Sequence, residues 1–342
     1  MKALRWYGAG DIRYEDVPEP VPGHGEVKVK ISLAGICGTD LREYAVGPYM
    51  IPPGTAPLTI GHEYAGVVVE TGEGVTDFQP GDRVTGLGYR YCGHCYCCRR
   101  MKYNICYNQG FTGLTVDGCF AEYLVTPGYS CFKLPDSVSD ELGSLVEPLS
   151  VAVHAVKRGN VQPGDTVAIV GDGTIGLCVL LAARAAGASA VYVISKHDKR
   201  AAKAMEMGAT GIISSRDNPV EIIREKTGGI GVDISFESVG NNQAVQTAVD
   251  VVRRDGTTVV IGLFEKAGTF NFGEIPLSEK NIKGSSIYVL EADAVIAMLA
   301  DGRIAPRALI TSIVPLGEKA GGVFAQLLDD KEHNLKLLFK VS

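Results

Sequence analysis

A glycine-rich turn between an apolar strand and a helix constrains the fold of this chain more than any other feature of the sequence. TVAIVG at 166–171 predicts a buried strand, and GDGTIG at 171–176 fits the pattern G-x-G-x-x-G at the start of a predicted helix. In such a turn Gly171 allows the sharp bend, Gly173 lets the backbone approach a pyrophosphate, and Gly176 lets the helix pack on the strand. A plain strand–helix turn is the alternative. The residues that we predict to bind a dinucleotide are Gly171, Gly173, Thr174, Ile175 and Gly176.

The residues on either side of this turn predict a parallel sheet. From about Ser150 onward, apolar strands alternate with predicted helices, which specifies a doubly wound α/β arrangement. Further strands are predicted at 191–195, 211–214, 233–238 and 257–264. We therefore predict a fold of class α/β, with a dinucleotide-binding domain over residues 151–281.

The first 150 residues follow a different pattern. Short segments with alternating apolar residues, such as 26–32 and 63–70, are separated by frequent Pro and Gly, and no long amphipathic helix is predicted. This pattern indicates an irregular antiparallel β domain over residues 1–150. Two domains also agree with the length of 342 residues, which exceeds what one hydrophobic core usually serves.

Charge and composition exclude several classes of protein. A net charge of −6 argues against a nucleic-acid partner, which would require a basic surface. The sequence has no run of 18 apolar residues and no signal-peptide pattern, so we expect no membrane partner. An odd number of cysteines, nine, indicates the reducing cytoplasm, where clustered cysteines usually bind metal or carry out redox chemistry. We expect a cytoplasmic protein that acts on a small molecule.

The end of the second predicted strand bears on the choice of cofactor. In NAD-binding domains an acidic residue about 20 positions after the glycine turn usually receives the ribose 2′-OH. Here the strand ends at Ser195, which is followed by Lys196, with Arg200 close by. A hydroxyl beside two cations is suited to the 2′-phosphate of NADP, although Asp198 could also turn toward the ribose. From these residues we favour NADP over NAD.

Five of the nine cysteines lie in the segment YCGHCYCCRRMKYNIC at 91–106. Four of them have the spacing C-x2-C-x2-C-x7-C, which is typical of a closed tetrahedral zinc site with no position open to substrate. An iron–sulfur run would have a different last spacing and a following proline. Cys97 falls outside the pattern. The predicted ligands of a structural zinc are Cys92, Cys95, Cys98 and Cys106.

A second group of possible metal ligands is scattered along the chain. Cys37 follows one predicted strand, His62 and Glu63 precede another, and Glu147 lies near the boundary of the two predicted domains. A lone cysteine is most often a small buried apolar group, and a His-Glu pair is often a surface loop. The spacing alone does not decide whether these residues form a site.

Five motifs together carry a resemblance to a known family. In order along the chain they are CGTDLREY, APLTIGHEYAGVV, CGHCYCCRRMKYNIC, VEPLSVAVHAV and GDGTIG. At these separations the sequence resembles the zinc-dependent medium-chain alcohol dehydrogenases, and within them the polyol (sorbitol) and 2,3-butanediol dehydrogenases. The resemblance implies a GroES-like catalytic domain over 1–150, completed by 282–342, and a Rossmann domain over 151–281.

The resemblance also implies roles for single residues. Cys37 and His62 match catalytic zinc ligands, while Glu63 and Glu147 supply carboxylate ligation, and which of the two binds at rest stays open. Thr39 matches the hydroxyl that hydrogen-bonds the substrate oxygen and begins proton removal. Relatives often carry a histidine where this chain has Arg42, which cannot act as a base because it remains protonated. Two zinc ions per chain, one catalytic and one structural, are implied.

The activity that follows is hydride transfer between a secondary alcohol, namely a vicinal diol or polyol such as 2,3-butanediol, and NAD(P), with the ketone as product. A threonine- or sugar-type dehydrogenase of the same family is an alternative, and a nucleotide-binding sensor without turnover is another. The resemblance further implies a homo-oligomer, a dimer or tetramer, for which the predicted strand near 283–290 offers an edge.

Overall fold

The computed structural model describes residues 1–342, and its internal contacts divide the chain into two compact units. The first unit comprises Met1–Glu147, Ala292–Asp301 and Ile310–Ser342. The second comprises Pro148–Glu291 and Gly302–Leu309. The chain therefore passes from the first unit to the second, returns at Ala292, enters the second unit again for Gly302–Leu309, and then completes the first.

The regular elements are numbered in chain order. The strands are β1 Lys2–Gly8, β2 Asp11–Asp16, β3 Glu26–Gly35, β4 Leu58–Thr59, β5 Glu63–Thr71, β6 Arg83–Gly86, β7 Tyr89–Arg90, β8 Gly110–Phe111, β9 Tyr123–Pro127, β10 Cys131–Lys133, β11 Thr166–Val170, β12 Ala190–Ser195, β13 Gly211–Ser214, β14 Val232–Glu237, β15 Val252–Val260, β16 Asn281–Gly284, β17 Ile310–Pro315 and β18 Lys336–Lys340. The helices are α1 Gly38–Val46, α2 Asp140–Gly143, α3 Val146–Gly159, α4 Thr174–Ala185, α5 Asp198–Glu206, α6 Pro219–Lys226, α7 Asn242–Asp250, α8 Glu274–Ser278, α9 Ala292–Ala300 and α10 Ala320–Asp329.

The second unit is built on a six-stranded parallel sheet, which confirms the predicted doubly wound α/β class. Its strand order is β13-β12-β11-β14-β15-β16, and every neighbouring pair is parallel. The central strands β11 and β12 are mainly apolar because helices cover the sheet, and Val167 and Val193 are fully buried. The predicted strand at 257–264 begins earlier in the structure and ends at Val260.

The first unit contains a seven-stranded sheet, and the last strand in chain order, β18, lies inside it and not at its edge. β18 lies between β3 and β17, and β3 also pairs with β5 and β9. Val27, Val29 and Ile31 are fully buried, as the alternation predicted at 26–32 requires, although Lys28 between them is also buried. The pairing of β3 with β5 sets Gly35 opposite Glu63. The irregular β domain predicted from the sequence is confirmed.

Helix α1 was not predicted, and its packing explains why. The residues that this helix buries are Asp40 and Glu43, both acidic, so no apolar periodicity marks it in the sequence. The carboxylate of Glu43 accepts hydrogen bonds from the backbone N–H groups of Tyr49 at 2.9 Å and Ile51 at 3.1 Å, and from that of Met50. The helix is therefore fixed by polar contacts to the following loop.

None of the helices combines the length and the apolar run that a bilayer span requires.

Candidate functional site

Three of the scattered residues meet at the end of the β3–β5 pair. Cys37 follows β3 at the N-cap of α1, His62 directly precedes β5, and Glu63 is its first residue. The antiparallel register explains how residues 25 positions apart in sequence come together, since Gly35 and Glu63 are partners. One sulfur, nitrogen or oxygen atom of each of Cys37, His62 and Glu63 lies within 4.8 Å of the others.

Asp40 supports this cluster from within the first turn of α1. Its Oδ2 accepts a hydrogen bond from the backbone N–H of Cys37 at 2.8 Å, and its Oδ1 lies 3.8 Å from Nδ1 of His62. Burial disfavours the charged imidazole, but the charges of Asp40 and Cys37 outweigh that effect and raise the pKa of His62 well above its usual value. A carboxylate facing the second nitrogen of an imidazole is the usual way in which a ligating histidine is oriented.

Glu63 is held by a buried lysine, Lys336, which belongs to none of the sequence motifs. Nζ of Lys336 lies 2.7 and 2.6 Å from the two carboxylate oxygens of Glu63 and donates to the carbonyl oxygen of Ile36 at 2.8 Å. Both side chains are almost fully buried, at 1% and 2% exposure. The absence of a side chain at Gly35 makes room for the pair, because a Cβ there would lie 2.3 Å from Oε2 of Glu63. The only sequence signal was a lone lysine in the apolar run at 335–339.

Glu147, Thr39 and Arg42 lie around the cluster in different ways. Glu147 is buried in the first turn of α3, and its charge contributes to the raised pKa of His62, but it lies outside the set of three. The hydroxyl oxygen of Thr39 lies 3.7 Å from Sγ of Cys37. The guanidinium of Arg42 lies over the ring of Tyr49, with 4.8 Å between its Cζ and the ring centroid.

The four predicted zinc-ligand cysteines also converge. Sγ of Cys106 lies 3.5 Å from that of Cys92 and 3.9 Å from that of Cys95, and the ligand atoms of all four lie within 4.8 Å of one another. A hydrogen bond with the backbone of His94 lowers the pKa of Cys92 to about 6, which favours the thiolate. Cys97 is buried beside the cluster without being a member of it. Four convergent thiols fit zinc.

The backbone of the glycine turn at 171–176 explains why glycine is needed at Gly171 and Gly176. Gly171 has a φ of +120°, and a Cβ at Gly176 would lie 2.2 Å from the carbonyl oxygen of Gly171. Gly173 caps α4, and a Cβ there would meet nothing closer than 3.9 Å, so this face of the turn is open. Thr174 and Ile175 begin the helix. The turn follows β11, where the strand order reverses, which is the usual nucleotide position in such sheets.

Strand β12 ends in a cluster of polar side chains that includes the carboxylate of Asp172, which was not among the predicted site residues. Oγ of Ser195 donates a hydrogen bond to Oδ2 of Asp172 at 2.7 Å, and a guanidinium nitrogen of Arg200 lies 3.8 Å from Oδ1. Lys196 is exposed, and its backbone N–H donates to Asp172. The only sign of this cluster in the sequence is that an acidic residue, Asp172, occupies a variable position of the glycine turn.

Comparisons with known proteins agree with this geometry. Residues 174–301 match a family model described as a zinc-binding dehydrogenase, and residues 23–136 match one described as an alcohol dehydrogenase GroES-like domain. The chain belongs to the zinc-binding alcohol dehydrogenases. It is therefore an oxidoreductase of the GroES-like and Rossmann architecture.

Relatives of this dehydrogenase include proteins named for diols and polyols. It is 37% identical over 351 residues to (R,R)-butanediol dehydrogenase of Bacillus subtilis, covering 99% of each chain. It is 35% identical to sorbitol dehydrogenase of the same organism, covering 99% of this chain and 96% of that one. A crystal structure of 2R,3R-butanediol dehydrogenase from B. subtilis superposes with a TM-score of 0.93 at 36% identity, covering 100% of this chain and 99% of that chain.

Proposed function

We propose that this dehydrogenase interconverts a vicinal diol or polyol, of which 2,3-butanediol is the first to test, and the corresponding ketone. The observation that carries the proposal is the convergence of Cys37, His62 and Glu63 in a chain that also has a dinucleotide-binding turn. The names of the relatives support the substrate class. A sulfur, an imidazole and a carboxylate are the donor set of a catalytic zinc site with one open position.

The residues present fit a catalytic zinc ion. In this proposal Cys37 and His62 bind the metal together with a carboxylate, for which Glu63 and Glu147 are the alternatives. Proximity supports Glu63, whereas the two bonds from Lys336 neutralise that carboxylate and support Glu147. When bound, zinc acts as a Lewis acid that lowers the pKa of an alcohol and so favours loss of hydride.

The remaining residues of the site hold the substrate and remove its proton. In this proposal Thr39, whose oxygen lies 3.7 Å from the sulfur of Cys37, hydrogen-bonds an alcohol oxygen bound beside the cluster. Arg42 remains protonated and packs on Tyr49, so the proton passes from Thr39 to solvent or to a ribose hydroxyl of the cofactor. Asp40 keeps the imidazole of His62 in its ligating orientation.

Cys92, Cys95, Cys98 and Cys106 are proposed to bind a second, structural zinc. Four thiolates leave no position for substrate, so this metal stabilises the loop at 92–106 and takes no part in the reaction. We further propose that residues 1–150 with 282–342 form the catalytic domain and 151–281 the nucleotide domain.

The cofactor is a nicotinamide dinucleotide in this family. The preference for NADP predicted from Ser195, Lys196 and Arg200 stays a prediction, and the position of Asp172 weighs against it. A dimer or tetramer in the cytoplasm is also proposed. β16 is the edge of the six-stranded sheet, and its Ile282 is exposed, which supports pairing of that edge between copies.

The test is the initial rate of 2,3-butanediol oxidation with NAD and with NADP, followed by larger polyols, sugars and L-threonine. Turnover that is lost in Cys37→Ser and His62→Ala supports the proposal. The matched control is Cys131→Ser, which removes a buried thiol of the same unit outside the cluster. Turnover that persists without Cys37 and His62 contradicts the assigned site. Binding of cofactor without turnover of any alcohol supports the sensor alternative.

A further inference from the structure

The carboxylate of Asp172 lies where the glycine turn meets the end of the neighbouring strand. Asp172 is the second residue of that turn, and β11 and β12 are paired so that Val170 lies opposite Ile194. Oδ2 of Asp172 therefore reaches the next strand, where it accepts hydrogen bonds from Oγ of Ser195 at 2.7 Å and from the backbone N–H of His197 at 2.9 Å.

This position is the one at which dinucleotide-binding domains discriminate between cofactors. An acidic residue at the end of the second strand normally accepts the ribose 2′-OH, and a phosphate replaces that hydroxyl in NADP. Here the strand ends at Ser195, and the first acidic residue beyond it, Asp198, is exposed. Asp172 brings a carboxylate to the same end of β12 from the adjacent turn.

The contacts of Asp172 leave its Oδ1 able to accept a further hydrogen bond from a hydroxyl group. Oδ2 takes the short bonds from Ser195 and from two backbone N–H groups, those of Lys196 and His197. Oδ1 has longer contacts, 3.3 Å to Nδ1 of His197 and 3.8 Å to Arg200. The two oxygens of a carboxylate together offer about four acceptor sites, and Oδ1 has the fewer and longer contacts, so it is suited to accept a hydrogen bond from a ribose hydroxyl.

The charge of Asp172 acts in a largely buried environment. The side chain has about 8% exposure. Burial opposes its ionisation, but the hydrogen bonds from Ser195 and His197 outweigh burial and lower its pKa, so it is an anion at neutral pH. Repulsion between this anion and a phosphate is strong where water is excluded. Ser195 and His197, which could otherwise bind a phosphate, direct their donors to Asp172.

Resting on the proposed function, we infer that Asp172 sets the cofactor preference: its carboxylate accepts the ribose 2′-OH of NAD and repels the 2′-phosphate of NADP. The chain is thus an NAD enzyme whose discriminating acid lies in the glycine turn. This inference reverses the preference for NADP that the residues after β12 predict.

The experiment measures binding of NADH and NADPH to the zinc-loaded protein by titration calorimetry. The wild-type protein is expected to bind NADH tighter than NADPH by about tenfold or more. Asp172→Asn keeps the size and an acceptor oxygen but removes the charge, and is expected to reduce that ratio by about tenfold or more. Asp198→Asn is the matched control, since it removes the neighbouring exposed charge and should leave the ratio within about threefold of wild type.

Each outcome has a defined meaning. Tighter binding of NADPH by the wild-type protein overturns the role of Asp172 and leaves the proposed dehydrogenase intact. If Asp198→Asn loses the preference for NADH and Asp172→Asn keeps it, the role of Asp172 is also overturned. If the wild-type protein binds neither NADH nor NADPH, both the role of Asp172 and the proposed function are overturned. If Asp172→Asn does not fold, the wild-type protein is titrated with adenosine 5′-monophosphate and adenosine 2′,5′-bisphosphate. Tighter binding of the monophosphate then supports the inference, and tighter binding of the bisphosphate overturns it.

Discussion

Lys336 and Glu63 form a buried ion pair that joins β18 to the cluster of Cys37, His62 and Glu63. Nζ of Lys336 lies 2.7 and 2.6 Å from the two oxygens of Glu63. Because both groups are almost inaccessible to water, each needs the other to compensate the cost of burying its charge. The pair therefore determines how strongly Glu63 can interact with anything else in the site.

Removal of one partner of this pair should be strongly destabilising. We expect Lys336→Met to lower the free energy of unfolding by about 3–5 kcal/mol, because it leaves the carboxylate of Glu63 buried without a counter-charge. Urea denaturation of the zinc-loaded protein measures the effect. The double variant Lys336→Met with Glu63→Gln removes both charges and should recover part of the loss, whereas two additive losses would contradict the interpretation.

The alternatives for the carboxylate ligand can be separated by metal content. Glu63→Gln and Glu147→Gln each remove one candidate, and the true resting ligand is the one whose loss weakens zinc binding at the cluster. We expect only one variant to retain two zinc ions per chain after dialysis, as measured by atomic absorption. Equal retention in both variants would show that neither carboxylate is required.

Asp40 should influence the metal through His62 without binding it. We expect Asp40→Asn to weaken zinc binding at the cluster by about 10- to 100-fold, because the imidazole loses the carboxylate that faces Nδ1. Competition with a chromophoric chelator measures the affinity. The control is Asp11→Asn, which changes a partly exposed carboxylate of the same unit paired with Arg13. An unchanged affinity in Asp40→Asn would contradict the orienting role.

A chelator should remove metal from the two proposed zinc sites one after the other. The proposed catalytic site at Cys37 and His62 leaves one coordination position open, so its metal should leave first, with loss of activity while the far-ultraviolet circular dichroism is retained. Cys92→Ser should lower the free energy of unfolding by about 3 kcal/mol or more, because it opens the four-thiol site. Cys97→Ser, in the same loop, should have little effect. Unfolding and inactivation at one chelator dose would contradict two separate sites.

Glu291 should make the second unit sensitive to acid. Burial opposes its ionisation, but hydrogen bonds from His154 and Lys157 outweigh burial and lower its pKa to about 2, from an ordinary value of 4.5. The unfolded chain then binds more protons below pH 4.5 than the folded one, so the stability that Glu291 contributes is present above pH 4.5 and is lost toward pH 2. Wild type and Glu291→Gln should differ in thermal unfolding at pH 7 and converge as the pH falls. A constant difference would contradict this contribution.

The parts of the fold that repeat a local pattern could be predicted from sequence. The parallel sheet follows from apolar strands alternating with helices, and the strand at 211–214 has the predicted bounds. The spacing of the four clustered cysteines likewise predicts that their sulfur atoms lie close together. In each case the residues that interact are close in sequence, or belong to elements whose periodicity is regular.

The parts that depend on contacts between distant or buried polar residues could not be predicted. Helix α1 buries Asp40 and Glu43, so its pattern resembles that of an exposed loop. Lys336 is 273 residues from Glu63, and the two meet because β18 and β5 both pair with β3. Asp172 occupies a variable position of the glycine motif, and its partners lie at the end of the next strand and just beyond it. Sequence spacing carries no information on such pairs.

The order of the strands in the seven-stranded sheet has a consequence for synthesis of the protein. β18 ends at Lys340, two residues before the last residue of the chain, yet it lies between β3 and β17 in that sheet. A ribosome adds about 5–20 residues per second and completes N-terminal segments first. The second unit is therefore fully translated while the sheet that carries Cys37 and His62 still lacks a central strand. The cluster of Cys37, His62 and Glu63 is therefore completed only after the second unit has been translated, because Lys336, the partner of Glu63, lies on β18.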